Sequence, residues 1–345
     1  MEKKTILFAV NTEFVMTIAL LYYENLKEKE GYYPVWFILK GNSNRFKDLN
    51  IDKLPGDKFE FWNNLNTKSL RPDLRFLKVL KNYKVVEFVH QHSLSICNIL
   101  LEENIKKTNS NVIRTYISDS IGLSAITRKR IVKVSDIYLY YRKLVNGLYY
   151  LPNKLLRPIE YIKDVDNYIN IDKIEATLAK FISFKEMLSK SSESRLLPLV
   201  FNFSVEIEYD IIFFTQPILD HTSLSQDVKE RYVNVLDTIS KTAELNQKNT
   251  LIKVHPGENS LRYKKYENRY CKLFENNNLP AELLFIVFSN KKVISCFSSI
   301  SVLDFSQNNY HYWLYPLINH SLKLNTDISS ITLIKDQDSL INILE

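Results

Sequence analysis

Short apolar runs alternate with helix-length segments from the start of the chain, and this alternation limits the fold more than any other feature of its 345 residues. Residues 5–10 are apolar, 14–29 have helix length, and 34–39 are apolar again. A strand, a crossover helix and a second strand is the economical reading, because parallel strands need a crossover about that long. Further strands are expected at 58–62, 85–90 and 112–117, with amphipathic helices at 65–82 and 93–106 between them. Repeated units of this kind imply a mostly parallel sheet covered by helices.

From about residue 135 to 194 the pattern changes to aromatic-rich and then charged segments, read as helices that complete a first lobe and cross to a second. The alternation then restarts, with strands at 210–215 and 250–254 around a helix at 225–245. Later strands are expected at 292–296, 312–315 and 331–334, and a final helix from about Gln337. The chain is long enough for two cores. The serine-rich piece at 189–194 is the better linker, so the expected domains are 1–194 and 195–345, both α/β and Rossmann-like.

Several function classes drop out. The chain has neither the glycine fingerprint of a dinucleotide site nor a P-loop, which disfavours fixed NAD binding and P-loop ATP hydrolysis. Three cysteines, Cys97, Cys271 and Cys296, lie far apart without a CxxC pair, so they read as reduced thiols and not as a disulfide framework or zinc site. His90 and His92 lack a third ligand, and no metal is expected. The net charge of +7 has no zinc-finger spacing, RNP-type motif or dense basic block beside it, so nucleic acid is not an expected partner. The densest cluster, Arg128, Lys129 and Arg130, reads as a solvated helix face, with contact to an anionic membrane surface as its functional alternative. Asn11, Thr12 and Glu13 interrupt the first apolar run, and no uninterrupted apolar stretch is long enough to span a bilayer. The expected location is the cytoplasm, peripheral to the membrane at most.

In open parallel sheets ligands bind beyond the carboxyl ends of the strands. Most of the polar clusters fall at such ends. The first half offers Asn11-Thr12, His90-Gln91-His92 and Ser118-Asp119-Ser120-Ile121-Gly122; the second offers Thr215-Gln216-Pro217 with Asp220, His255-Pro256-Gly257-Glu258, and Ser298-Ser299-Ile300-Ser301. Glycine is rare, with 6 in the chain, so Gly122 and Gly257 are informative: each marks a place where the backbone needs a positive φ or a close approach. The strongest signal is the apolar strand that stops at His255, where Pro256 blocks immediate helical continuation. A histidine held there can donate to a phosphate oxygen or act as a general acid toward a departing phosphate. Ser298 and Ser299 would add hydroxyls and free backbone N–H groups at a helix start, which suits an anion. Asp119 is placed to take a proton from an acceptor hydroxyl, and Asp220 competes for that role.

The acidic motif before Gly122, His255-Pro256 after a strand, and the Ser298-Ser299 turn, in that order, resemble the bacterial sialyltransferases, in particular the lipooligosaccharide sialyltransferase (glycosyltransferase family 52) and polysialyltransferase families. Ile6-Leu7-Phe8-Ala9-Val10-Asn11-Thr12 and Phe213-Phe214-Thr215-Gln216-Pro217-Ile218 also look like parts of the lipooligosaccharide group. The resemblance implies a GT-B-like fold, two Rossmann-like domains facing a central cleft, the C-terminal one binding the nucleotide sugar. It implies inverting transfer of sialic acid from CMP-sialic acid to a bacterial surface glycan, with no cofactor. His255 would contact the CMP phosphate together with Pro256, Gly257, Ser298 and Ser299, and Asp119 would be the base, with Asp220 still open. Asn11, Thr12 and Gln216 are additional candidates. Two alternatives stand beside this reading: an envelope-glycan transferase using CMP-Kdo or a related nonulosonate, a UDP-sugar or CDP-glycerol, and a non-catalytic glycan- or nucleotide-binding protein.

Overall fold

The computed structural model describes residues 4–40, 46–47, 49–62, 75–91, 96–117, 166–170, 180–190, 193–202, 208–222, 224–255, 258–274, 279–286, 288–296, 308–319 and 330–345. Strand β1 (Thr5–Val10) is buried at every position, as expected of a strand covered on both faces. Thr12 ends it and caps α1 (Glu13–Glu30): the Thr12 hydroxyl accepts from the Val15 N–H at 3.1 Å. Gly31 closes that helix in the left-handed region, at φ 64°. Then follow β2 (Tyr33–Lys40), β3 (Asp57–Trp62), α2 (Arg75–Leu80), β4 (Val85–Gln91), α3 (Ile96–Thr108) and β5 (Ile113–Ile117).

Two further strands, β6 (Asn167–Asn170) and β7 (Lys180–Ser183), extend this sheet where the sequence suggested helices. Each carries two central apolar or aromatic residues between polar ends, too short a run to register as a strand. All pairings are parallel, and the order is β3-β2-β1-β4-β5-β6-β7. The aromatic segments between 135 and 165 lie outside the described residues.

The helices α4 (Phe184–Ser189) and α5 (Leu196–Phe201) follow. Ser194, the last residue of the serine-rich piece, is tied to the first helix. Ser194 donates its hydroxyl to Glu24 of α1 at 2.5 Å, and Glu24 also accepts from the N–H groups of Arg195 and Leu196. Leu197, Val200 and Phe201 are buried on the same side. The chain accordingly divides into compact units after Asn202 and not after Ser194.

The second unit repeats the plan. Strand β8 (Ile211–Phe214) leads to α6 (Gln226–Leu245), capped by the Ser225 hydroxyl, and then to β9 (Thr250–Lys253). A 3-10 helix at Ser260–Tyr266 precedes β10 (Cys271–Leu273), and a second one, Ala281–Ile286, precedes β11 (Lys292–Ser295). The chain closes with β12 (Tyr310–Trp313), α7 (Tyr315–Ile318), β13 (Ile331–Leu333) and α8 (Gln337–Leu344). The β12 strand starts two residues before its expected place, because Pro316 sits in the first turn of α7 and makes Tyr315 a helix start. The sheet is again all parallel, in the order β10-β9-β8-β11-β12-β13. Tyr232, Val235, Leu236 and Ile239 of α6 pack onto it with Ile211, Phe213, Ile252 and Ile294.

In both sheets the first strand of the unit lies beside its fourth, and strand order reverses there. Ligands bind outside the carboxyl ends of strands at such a switch point. In the second unit this is the crevice beyond β8 and β11.

Candidate active site

His255 lies two residues past the end of β9. Its backbone N–H donates to the Thr215 hydroxyl at 2.8 Å, and Thr215 follows β8 directly. The turn is closed on the other side by the Glu258 N–H, which donates to the His255 carbonyl at 2.9 Å. The His255 ring is exposed, yet the surrounding protein withdraws enough of its hydration to lower its pKa below the usual 6.5, and the nearby Lys253 ammonium lowers it further. The imidazole is therefore mostly neutral at pH 7, and an anion beside it would draw a proton onto it.

The residue that organises this turn is Glu258. Its carboxylate accepts from the Thr215 hydroxyl at 2.5 Å and from the Tyr263 hydroxyl at 2.5 Å. Burial pushes the carboxyl above its usual range; the hydrogen bonds from Thr215 and Tyr263 oppose that shift, and Asp220 adds to it. Behind it the Tyr232 hydroxyl of α6 accepts from the Gln216 N–H at 3.3 Å. Thr215, Tyr232 and Tyr263 are all buried. Four elements thus meet behind one exposed imidazole: β8, β9, α6 and the 3-10 helix Ser260–Tyr266.

Beside the turn a cavity of about 310 Å³ opens between Gln216, Pro217, Ile218, Val228, Cys296 and Tyr315. It lies beyond the ends of β8 and β11, where strand order reverses. Its walls are mostly apolar, and burial holds the Cys296 thiol well above its usual pKa, so it is an inert wall group.

Of the other sequence candidates, Gln216 contributes its backbone N–H to the network and lines the cavity. Asp220 forms an ion pair with Arg262. In the first unit Thr12 caps α1, and Asn11 stands between β1 and that cap at the switch point of β1 and β4. His90 is buried in β4 with its ring stacked on Phe88 at 4.5 Å, and no group of ligating side chains among the described residues forms a metal site. His92, Asp119, Gly122, Pro256, Gly257, Ser298 and Ser299 lie outside the described residues. Sequence reading passed over the roles of Glu258, Tyr263 and Tyr232. The spacing of Glu258 from His255 could have flagged the carboxylate, but nothing local joins it to the Thr215 hydroxyl.

No protein-family model matches the chain, and no curated protein sequence does. Solved structures do. A wall teichoic acid polymerase, TagF, aligns with TM-score 0.57 and 11% identity over 99% of this chain and 79% of its own. The GT-B domain of a sialyltransferase from Photobacterium damselae aligns with TM-score 0.52 and 11% identity over 99% and 96%. A UDP-N-acetylglucosamine 2-epimerase aligns with TM-score 0.50 and 8% identity over 99% and 86%. At such identities the likeness is one of fold. Together with the two parallel sheets it defines the class: an α/β protein with two Rossmann-like units of the GT-B type.

Proposed function

We propose that this chain is an inverting, metal-independent glycosyltransferase that moves sialic acid from CMP-sialic acid to a bacterial surface glycan such as lipooligosaccharide or capsule. The observation that carries the reading is the His255 turn: an exposed histidine two residues past β9 whose backbone N–H is held by the Thr215 hydroxyl, next to Gln216 of the switch-point cavity of the second sheet. The GT-B fold shared with a sialyltransferase domain supports it.

In this mechanism the bond between the sialic acid anomeric carbon and the CMP phosphate oxygen breaks, and negative charge gathers on the phosphate. His255 takes up the charge by donating a hydrogen bond and then a proton. Ser298 and Ser299, together with the Pro256-Gly257 pair, complete the proposed phosphate-binding set, the serines adding donors that matter most as that charge develops. Asp119 takes the proton from the acceptor hydroxyl as it attacks the opposite face. Asp220 is the alternative base, although its carboxylate is engaged by Arg262. The apolar cavity takes part of the donor, with Gln216 at its edge. The basic net charge suits an anionic donor and an acceptor displayed at an anionic membrane surface, where the protein would act peripherally from the cytoplasmic side. Among the described residues no helix is long and apolar enough to cross a membrane.

The likeness to a wall teichoic acid polymerase favours a second reading, in which the same phosphate-binding parts serve another activated unit such as CDP-glycerol. Incubation of the purified chain with CMP-sialic acid, CMP-Kdo, CDP-glycerol and UDP-sugars, each with a glycan acceptor, separates the two. The expected result is CMP release with transfer of sialic acid; transfer from CDP-glycerol or a UDP-sugar alone would replace the donor assignment.

A further inference from the structure

The Thr215 hydroxyl has one proton, and it is committed to the Glu258 carboxylate at 2.5 Å. Its oxygen is thereby left to accept the His255 N–H at 2.8 Å. An ionised carboxylate only accepts hydrogen bonds, so Glu258 sets the direction of this relay; an amide or an acid in its place could donate and reverse it. The second carboxylate oxygen is held by the Tyr263 hydroxyl, and the Tyr263 ring is fixed by burial in the core of the second unit. The Glu258 N–H returns to the His255 carbonyl, so the residue grips the turn through both side chain and backbone.

We propose that Glu258, acting through the Thr215 hydroxyl, is the positioning residue that fixes the His255 turn in register with the donor phosphate. Glu258 itself touches no reacting atom. The inference rests on the reading of His255 as the phosphate-contacting group. A turn that served only to pack the fold would not need a carboxylate, since burying one is unfavourable unless its charge is used or well paired. Here both oxygens are engaged by hydroxyls from different elements, and the output of the relay is the main chain of His255, an exposed histidine tied to Thr215 next to the cavity-lining Gln216.

The test uses the full chain and the variants Glu258→Gln, Thr215→Val, Thr215→Ser and Tyr263→Phe, with CMP-sialic acid as donor and the His255 imidazole observed by NMR in ligand-free protein. Thr215→Val deletes the relay without changing charge, and Thr215→Ser restores its hydroxyl. Glu258→Gln and Thr215→Val are expected to lower kcat about 100-fold, the effect of misplacing a catalytic group by about 1 Å, with KM nearly unchanged. They should also shift or broaden the His255 ring signal while the fold, read by circular dichroism, persists. Thr215→Ser should recover both kcat and the ring signal, and Tyr263→Phe should fall between. A His255 signal and kcat unaltered in folded Glu258→Gln and Thr215→Val would overturn the inference. Should the natural chain turn over no CMP-sialic acid, the His255 signal alone decides: its displacement in those variants upholds the positioning role while the donor assignment fails.

Discussion

His255 and Glu258 show how two groups a turn apart acquire opposite tendencies from similar surroundings. Loss of hydration disfavours the charged form of each, which lowers the imidazole pKa and raises the carboxyl pKa. For His255, whose folded value is depressed, the stability contribution is present above the ordinary 6.5 and is lost as pH falls through the lower folded value. For Glu258, whose folded value is raised, the contribution is present below the ordinary 4.5 and is lost as pH rises through the folded value. A bound phosphate favours imidazolium. The ratio of CMP affinities between the natural chain and His255→Ala is therefore expected to grow as pH is lowered from about 8 to about 6, as read by calorimetric titration. A ratio independent of pH would remove the imidazole from phosphate binding. Replacing Thr215 by Val leaves the His255 N–H without its acceptor and should cost about 1–3 kcal/mol in urea unfolding.

Two glycines test how the elements are joined. Gly31 (φ 64°) and Gly56 (φ 73°) share the left-handed conformation but differ in what surrounds them. A Cβ at Gly31, past the end of α1, would meet nothing within 4 Å, whereas one at Gly56 would lie 2.0 Å from the Pro34 carbonyl oxygen of β2. Gly31→Ala is expected to cost about 1 kcal/mol, the ordinary penalty for a side chain in that region. Gly56→Ala should cost more than about 3 kcal/mol, because β3 must move away from β2, and thermal unfolding of the two variants measures the difference. Most elements were legible in the sequence because their signals are local. The continuous apolar run of β1, the long helix α6 and the seven-residue strand β4 declare themselves within a few residues. Strands β6 and β7 hold two apolar or aromatic residues each between polar ends and β10 is interrupted by Lys272, so little local announces them. The site divides in the same way. His255 was legible from its own strand end and Pro256, while the Tyr263–Glu258–Thr215 chain joins residues up to 48 positions apart and exists only once the sheet has formed.

At the scale of the whole molecule, the two units repeat one solution: parallel strands whose order reverses beside the first strand. The net charge of +7 acts at the same scale. The protein is expected to sediment with phosphatidylglycerol vesicles at low ionic strength and to dissociate at about 0.5 M salt, where charge attraction is screened within a few ångström. Retention on the vesicles at high salt would point instead to insertion of apolar surface. The claim on which the account turns is that the His255 turn of the second unit holds the donor phosphate. Titration of CMP into the purified chain and into His255→Ala tests it most directly. Saturable binding to the natural chain and at least about tenfold weaker binding to the variant are expected, the loss of one charge-assisted hydrogen bond. Equal affinity in the two proteins, or no CMP binding by the natural chain, would contradict it.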